Sequence, residues 1–211
     1  MYMSASTSKD NKKHCIGTAT SSFIKGPYKP QDKPLACPLK RGGAIDPAGF
    51  QDEDGTRYVV YKIDGKKSNS PTPIMLQRVA SDGITPQGKP TKLLEKDEQD
   101  GPLIEAPSLV KSGDKYYLTF SSNMFSSKKY DVSYATASVV TGPYTKASKP
   151  LLKTGHQSEV GPLAAPGGSD FSEDGSKIVF HAFKNGENVT DGRAMYTAET
   201  SLSKGVITLD K

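Results

Sequence analysis

Two carboxylates open two similar β-rich stretches of this chain, and a pair of opposed carboxylates is what breaking a glycosidic bond requires. Asp46 stands in Gly43-Ala44-Ile45-Asp46-Pro47, which leads to Asp54-Gly55-Thr56-Arg57-Tyr58-Val59-Val60-Tyr61. Glu105 stands in Leu103-Ile104-Glu105-Ala106-Pro107, which leads to Gly113-Asp114-Lys115-Tyr116-Tyr117-Leu118-Thr119-Phe120. In both, an acid precedes a turn and then an aromatic strand. If the sheets so begun are arranged about an axis, the two acids hold equivalent repeat positions and face each other across it. Taken alone, Asp46-Pro47 also reads as an ordinary turn starter, because Asp bonds its own backbone and Pro presets φ. Glu105 is harder to explain that way. A carboxylate between Ile104 and Ala106, in an apolar strand, must find a partner or hold its proton toward neutrality, and the latter makes a general acid.

The elements that must carry these acids repeat. Ala19-Thr20-Ser21-Ser22 followed by Gly26-Pro27-Tyr28 matches Ala135-Thr136-Ala137-Ser138 followed by Gly142-Pro143-Tyr144, 116 residues later, which is twice 58. A third aromatic lead-in, Asp174-Gly175-Ser176-Lys177-Ile178-Val179-Phe180-His181, lies 120 residues after Asp54. Periods of this size mark stacked or ring-arranged units. The unit from Gly101 reads as strands at Ser108–Lys111, Lys115–Ser121, Val132–Thr136 and an edge strand near Leu151. Four strands in a unit of that length fit a propeller blade. A β-sandwich of regular hairpins is the rival, but it does not account for the 58-residue step. No segment holds an apolar 3.6 period, so helix is minor. The sequence predicts an all-β, partial β-propeller of about three and a half blades forming one incomplete domain over 1–211: a part-blade at 1–42, then blades at 43–100, 101–153 and 154–211.

Composition narrows the partners. The 211 residues carry a net charge of +5, yet the lysines are scattered and form no basic stripe interleaved with aromatics, which argues against nucleic acid. No apolar stretch approaches the roughly 20 residues of a membrane helix. The 20 glycines and 15 prolines are dispersed, as turns are, and form no low-complexity tract. Cys15 and Cys37 fit neither a zinc site nor a redox pair; they either form one disulfide, which suits an oxidising compartment, or remain two thiols. Asn188-Val189-Thr190 is an N-glycosylation sequon, also compatible with secretion. Met1–Ser6 has neither the basic nor the apolar region of a signal peptide and alternates like the middle of a strand.

With these segments in view, the chain resembles glycoside hydrolase family 43. The matching stretches are Ala44-Ile45-Asp46-Pro47-Ala48-Gly49-Phe50, Ile104-Glu105-Ala106-Pro107-Ser108-Leu109-Val110, Phe120-Ser121-Ser122-Asn123, both Gly-Pro-Tyr turns and Val179-Phe180-His181-Ala182-Phe183, spread over most of the chain. The resemblance implies a five-bladed propeller that hydrolyses arabinose- and xylose-containing polysaccharides with inversion, usually outside the cell. It implies Glu105 as the general acid and Asp46 as the acid that tunes it and orients the sugar. Inversion further needs a base about 6.5–9.5 Å from the acid to activate water. In the family that base is an aspartate of the first blade. Here Tyr2–Ser6 matches a second strand of the second blade, so the base is expected to lie outside these 211 residues and the chain to be a fragment with little turnover. Asp10 and Asp32 stand in only by default, in Lys-rich loops of another blade. Two blade faces left uncovered would favour self-association.

Other family features bear on the sugar. Phe50, Phe125 and Tyr130 can form apolar walls for sugar rings, or belong to the core as strand aromatics commonly do. Ser122 and Asn123 can hydrogen-bond sugar hydroxyls, or merely begin a loop. His181 is either a substrate-binding or a structural histidine, and Arg193 either a charge partner at the centre or a surface residue. Many members carry Gly-Pro-Gly-His, whose histidine helps hold a hydrated calcium. This chain reads Ala165-Pro166-Gly167-Gly168, with Gly168 in the histidine's place, so no cofactor is expected.

Overall fold

The computed structural model describes residues 1–8, 10–65, 70–184, 186 and 189–210; Asn188 of the sequon lies outside them. Its strands fall into four sheets and one short hairpin. The first sheet holds β1 (Tyr2–Thr7), β2 (Asp10–Thr20) and β3 (Lys29–Pro30). The second holds β4 (Ala44–Gln51), β5 (Arg57–Ile63), β6 (Ile74–Val79) and β7 (Thr91–Leu94). The third holds β8 (Ile104–Ser112), β9 (Lys115–Ser122), β10 (Asp131–Ala137) and β11 (Thr145–Lys146). After the β12 (Gln157–Ser158) and β13 (Gly161–Pro162) hairpin comes the fourth, with β14 (Gly167–Phe171), β15 (Lys177–Phe183), β16 (Arg193–Ser203) and β17 (Val206–Asp210). Every pairing is antiparallel between sequence neighbours, an up-and-down meander. Helix among the described residues is limited to three short 3-10 turns.

Alternation along the second strand of each sheet explains how the sheets stack. In β5, Val59, Tyr61 and Ile63 pack with Ile16 and Leu35 toward the first sheet. Val60, one residue out of phase, packs with Leu109, Leu118 and Phe120 of the third. In β9 the same parity sends Tyr116, Leu118 and Phe120 back to the second sheet and Tyr117 forward to Ile207 of the fourth. Strands buried on both faces therefore read as continuous apolar runs. The leading strands β4, β8 and β14 lie side by side, so the sheets fan out from a common line. This is a partial β-propeller whose ring is not closed.

Two details depart from the sequence reading. The edge strand of the third sheet is Thr145–Lys146, paired with Thr136 and Ala135, and not a segment near Leu151. Pro150 has no N–H to extend a ladder there; Leu152 makes only a single bridge to Val132. Cys15 and Cys37 form a disulfide, their Cα atoms 4.5 Å apart, which resolves the alternative that the spacing left open.

Candidate active site

The site is built where the leading strands bulge. Ile45 pairs with Lys62 and Ala48 with Val60, leaving Asp46 and Pro47 opposite Tyr61 alone. Glu105 pairs with Ser121 and Ser108 with Thr119, leaving Ala106 and Pro107. By register Asp46 thus corresponds to Ala106, and Glu105 to Ile45. The expected equivalence of the two acids is off by one residue. The backbone agrees, since Asp46 and Ala106 are both left-handed, with φ of 56° and 50°. Such a conformation before proline costs on the order of 1–3 kcal/mol and persists where surrounding structure enforces it. The offset makes the acids complementary: an Asp46 carboxylate oxygen accepts from the Ala106 N–H at 2.9 Å, one residue beyond Glu105. The Asp46 N–H in turn donates to Ser4 Oγ of the first sheet at 3.0 Å.

Glu105 is held by two side chains that the sequence reading did not assign to it. Lys62 Nζ lies 3.0 Å from Oε2, and the Tyr130 hydroxyl donates to Oε1 at 2.8 Å. Lys62 shares the face of Val60, so strand parity aims it at the third sheet, and its side chain is only 3% exposed. Asp64 balances it at 3.4 Å. Tyr130, read as a sugar wall or core residue, is buried in a cluster with Ala164, Ala165 and Phe183 and stacks on His181. Counted from the left-handed residues Asp46, Ala106 and Ala165, Lys62, Ser121 and Phe183 hold matching positions of three successive sheets, opposite Ile45, Glu105 and Ala164, and His181 lies two residues away on the same face as Phe183.

His181 and Arg193 join this group from the fourth sheet. Arg193 Nε donates to His181 Nδ1 at 2.5 Å, and the guanidinium also donates to the carbonyls of Phe125 and Ala165. It lies over the rings of Tyr130 and Phe183. Burial, reinforced by the Arg193 charge, pushes the His181 pKa down, so the ring is neutral and accepts at Nδ1. Phe125 itself is exposed at the rim.

Three proposed sugar contacts fall elsewhere. Phe50 sits at the far end of β4 from Asp46, stacked on Tyr58 and edge-on to Tyr116. Ser122 has the opposite parity to Ser121 and donates to Asp131 on the other face; Ser121 is the residue on the Glu105 side, accepting from the Gly168 N–H. The Asn123 side chain lies against Gly101. Asp10 is tied to Lys13, and Asp32 is exposed. Gly168 has no side chain to offer a cation, and a Cβ there would lie 2.3 Å from His181 Nε2.

Burial raises the Asp46 pKa above the 3.8 of an unfolded aspartate, with the Glu105 charge adding to it and the Ala106 N–H opposing. Folding therefore shifts Asp46 toward its protonated form relative to the unfolded chain. That contribution is fully present below the unfolded pKa and is lost as pH rises through the folded one. Asp46→Asn, which keeps an acceptor and tolerates φ > 0, is expected to melt higher than the parent at pH 7, with the gap closing toward pH 3. Calorimetry at both values checks this; a variant less stable than the parent at pH 7 contradicts it.

Comparison with known proteins gives this arrangement a family. The family described as Glycosyl hydrolases family 43 matches residues 1–210. The chain belongs to glycosyl hydrolase family 43. A beta-D-galactofuranosidase of Aspergillus niger is 29% identical over 179 residues, covering 79% of this chain and 46% of the relative. The chain thus spans about half the length of that curated relative. Among solved structures, a thermostable family-43 glycoside hydrolase superposes with a TM-score of 0.84 at 26% identity, covering all of this chain and 70% of that one. An endo-1,4-beta-xylanase from Bacteroides thetaiotaomicron gives 0.76 at 27% identity, with the same coverage.

Proposed function

We propose that this family 43 chain carries the acid half of an inverting glycosidase site for arabinose- or xylose-containing polysaccharides. The observation that carries the reading is Glu105, 14% exposed at its side chain, held from both oxygens and one residue from the backbone N–H that binds Asp46. Glu105 protonates the leaving glycosidic oxygen, while Asp46 tunes it and helps orient the sugar. Arg193, His181 and the rim residue Phe125 supply polar and apolar contacts to the ring.

The base that activates water comes from a part of the ring without a counterpart in residues 1–211. Two observations favour this. Asp64 is committed to Lys62, and Asp46 to the Ala106 N–H. The chain also covers 70% of the xylanase structure and 46% of the galactofuranosidase, leaving room in such relatives for further blades. The Cys15–Cys37 disulfide supports an oxidising, extracellular setting.

Assays on 4-nitrophenyl α-L-arabinofuranoside and β-D-xyloside, with calorimetry of arabino- and xylo-oligosaccharides, test the reading. The expected result is sugar binding with little turnover, unchanged by Glu105→Gln. Efficient hydrolysis lost in Glu105→Gln would put the base inside the chain and overturn the division of labour. Neither binding nor hydrolysis of any such sugar would sink the glycosidase reading.

A further inference from the structure

We propose that Lys62 is a positioning residue for Glu105, fixing Oε2 as the carbonyl oxygen so that the transferable proton is confined to Oε1 beside Tyr130. This rests on the reading of Glu105 as general acid. A lysine buried to this degree is costly unless its charge is matched, and here two carboxylates match it, Asp64 at 3.4 Å and Glu105 at 3.0 Å. Nothing in the blade packing calls for a cation at this place, since the corresponding positions of the next two sheets hold the uncharged Ser121 and Phe183.

The two partners of Glu105 differ in what they can do. An ammonium donates and cannot accept, whereas a tyrosine hydroxyl does either. In a protonated carboxyl the carbonyl oxygen is the better acceptor, so the permanent donor Lys62 claims Oε2 as carbonyl. The proton is left on Oε1. Tyr130, which donates to Oε1 while Glu105 is a carboxylate, can turn to accept once that oxygen is protonated. In the reaction Oε1–H passes its proton to the glycosidic oxygen, which also takes the electron pair of the breaking C–O bond. Water adds its hydroxyl to the anomeric carbon and gives its proton to the base. Glu105 ends as a carboxylate that Lys62 already solvates at Oε2, and the Tyr130 hydroxyl needs only to turn back to donate to Oε1. The charged and titratable groups around Glu105 are Lys62 of β5 and Asp64 just after it, Asp46 across the bulge, Tyr130 just before β10, and His181 with Arg193 from the fourth sheet.

The test is a 13C titration of the Glu105 carboxyl resonance, assigned by its loss in Glu105→Gln. The full chain is compared with Lys62→Met, Lys62→Arg and Tyr130→Phe. Removing the adjacent cation is expected to raise the titration midpoint by about one pH unit or more. Lys62→Arg should restore it to within a few tenths, and Tyr130→Phe should move it less than half as far as Lys62→Met. Should Lys62→Met fail to fold, Lys62→Gln serves as the neutral, polar replacement. A midpoint unmoved by losing the lysine, or moved more by losing the tyrosine, overturns the proposal. The measurement needs no turnover, so failed sugar binding sinks the glycosidase reading while an unmoved midpoint sinks the role of Lys62.

Discussion

Glu105→Leu is expected to destabilise the chain by about 3 kcal/mol, whereas Glu105→Gln should cost only about 1 kcal/mol. The difference comes from Lys62. Its ammonium is sealed between the second and third sheets, with a side chain 3% exposed, and it reaches no bulk water when its partner is removed. Asp64 remains, but it is longer at 3.4 Å and about a third exposed, so its charge is screened. Glutamine keeps an acceptor in place; leucine leaves a desolvated cation facing hydrocarbon. Urea unfolding of both variants measures the gap. The double change Lys62→Met with Glu105→Leu should recover at least half of the loss, because an apolar pair of similar volume replaces a buried ion pair at little cost. A double variant no better than Glu105→Leu would mean that the stability lies in backbone packing and not in the ion pair.

How far this site was legible in the sequence depends on parity and on bulges. The aromatic second strands announced themselves, and with them the stacking of sheets, because β-branched and aromatic runs buried on both faces have few other uses. Lys62 stands in the same strand, but its type disguises its burial. A lysine after Val59-Val60-Tyr61 looks like a strand end, whereas counting by twos from Val60 puts it on a buried face and demands a partner. Ser121 and Ser122 differ only in that parity, which puts Ser121 on the Glu105 side and Ser122 against Asp131. The pairing of Asp46 with Glu105 failed by one residue for a related reason: each bulge inserts residues ahead of a proline, so matching acid to acid hides the true match of Asp46 to Ala106. Phe50 was drawn toward the site by proximity in sequence, although some four residues of extended strand carry it to the opposite end of the sheet. Gly168 reads as a missing ligand from sequence, and only the fold shows that the His181 ring stands beside it. The cysteine pairing needed the tertiary approach of β2 to the segment around Ala36.

Gly167→Ala should be the most damaging single methyl in the molecule for the site, costing about 3 kcal/mol. Gly167 starts β14 directly under Tyr130, and a Cβ there would lie 1.9 Å from Cε1 and 2.4 Å from Cδ1 of that ring. Backbone strain is not the cause, because Gly167 is absent from the positive-φ residues. The obstacle is a ring with nowhere to go. Tyr130 is 3% exposed, bonded at its hydroxyl to Glu105, stacked on His181 and covered by the Arg193 guanidinium. Relief requires either moving β14 away from the third sheet or pushing Tyr130 off Glu105, and each loses contacts that the other would keep. The two sources separate in a cycle. In a Tyr130→Leu background the clashing ring atoms are gone, so adding Gly167→Ala should cost less than about 1 kcal/mol, a coupling near 2 kcal/mol between residues in contact. Equal penalties in both backgrounds would locate the damage in the β14 backbone and detach this glycine from the support of the acid.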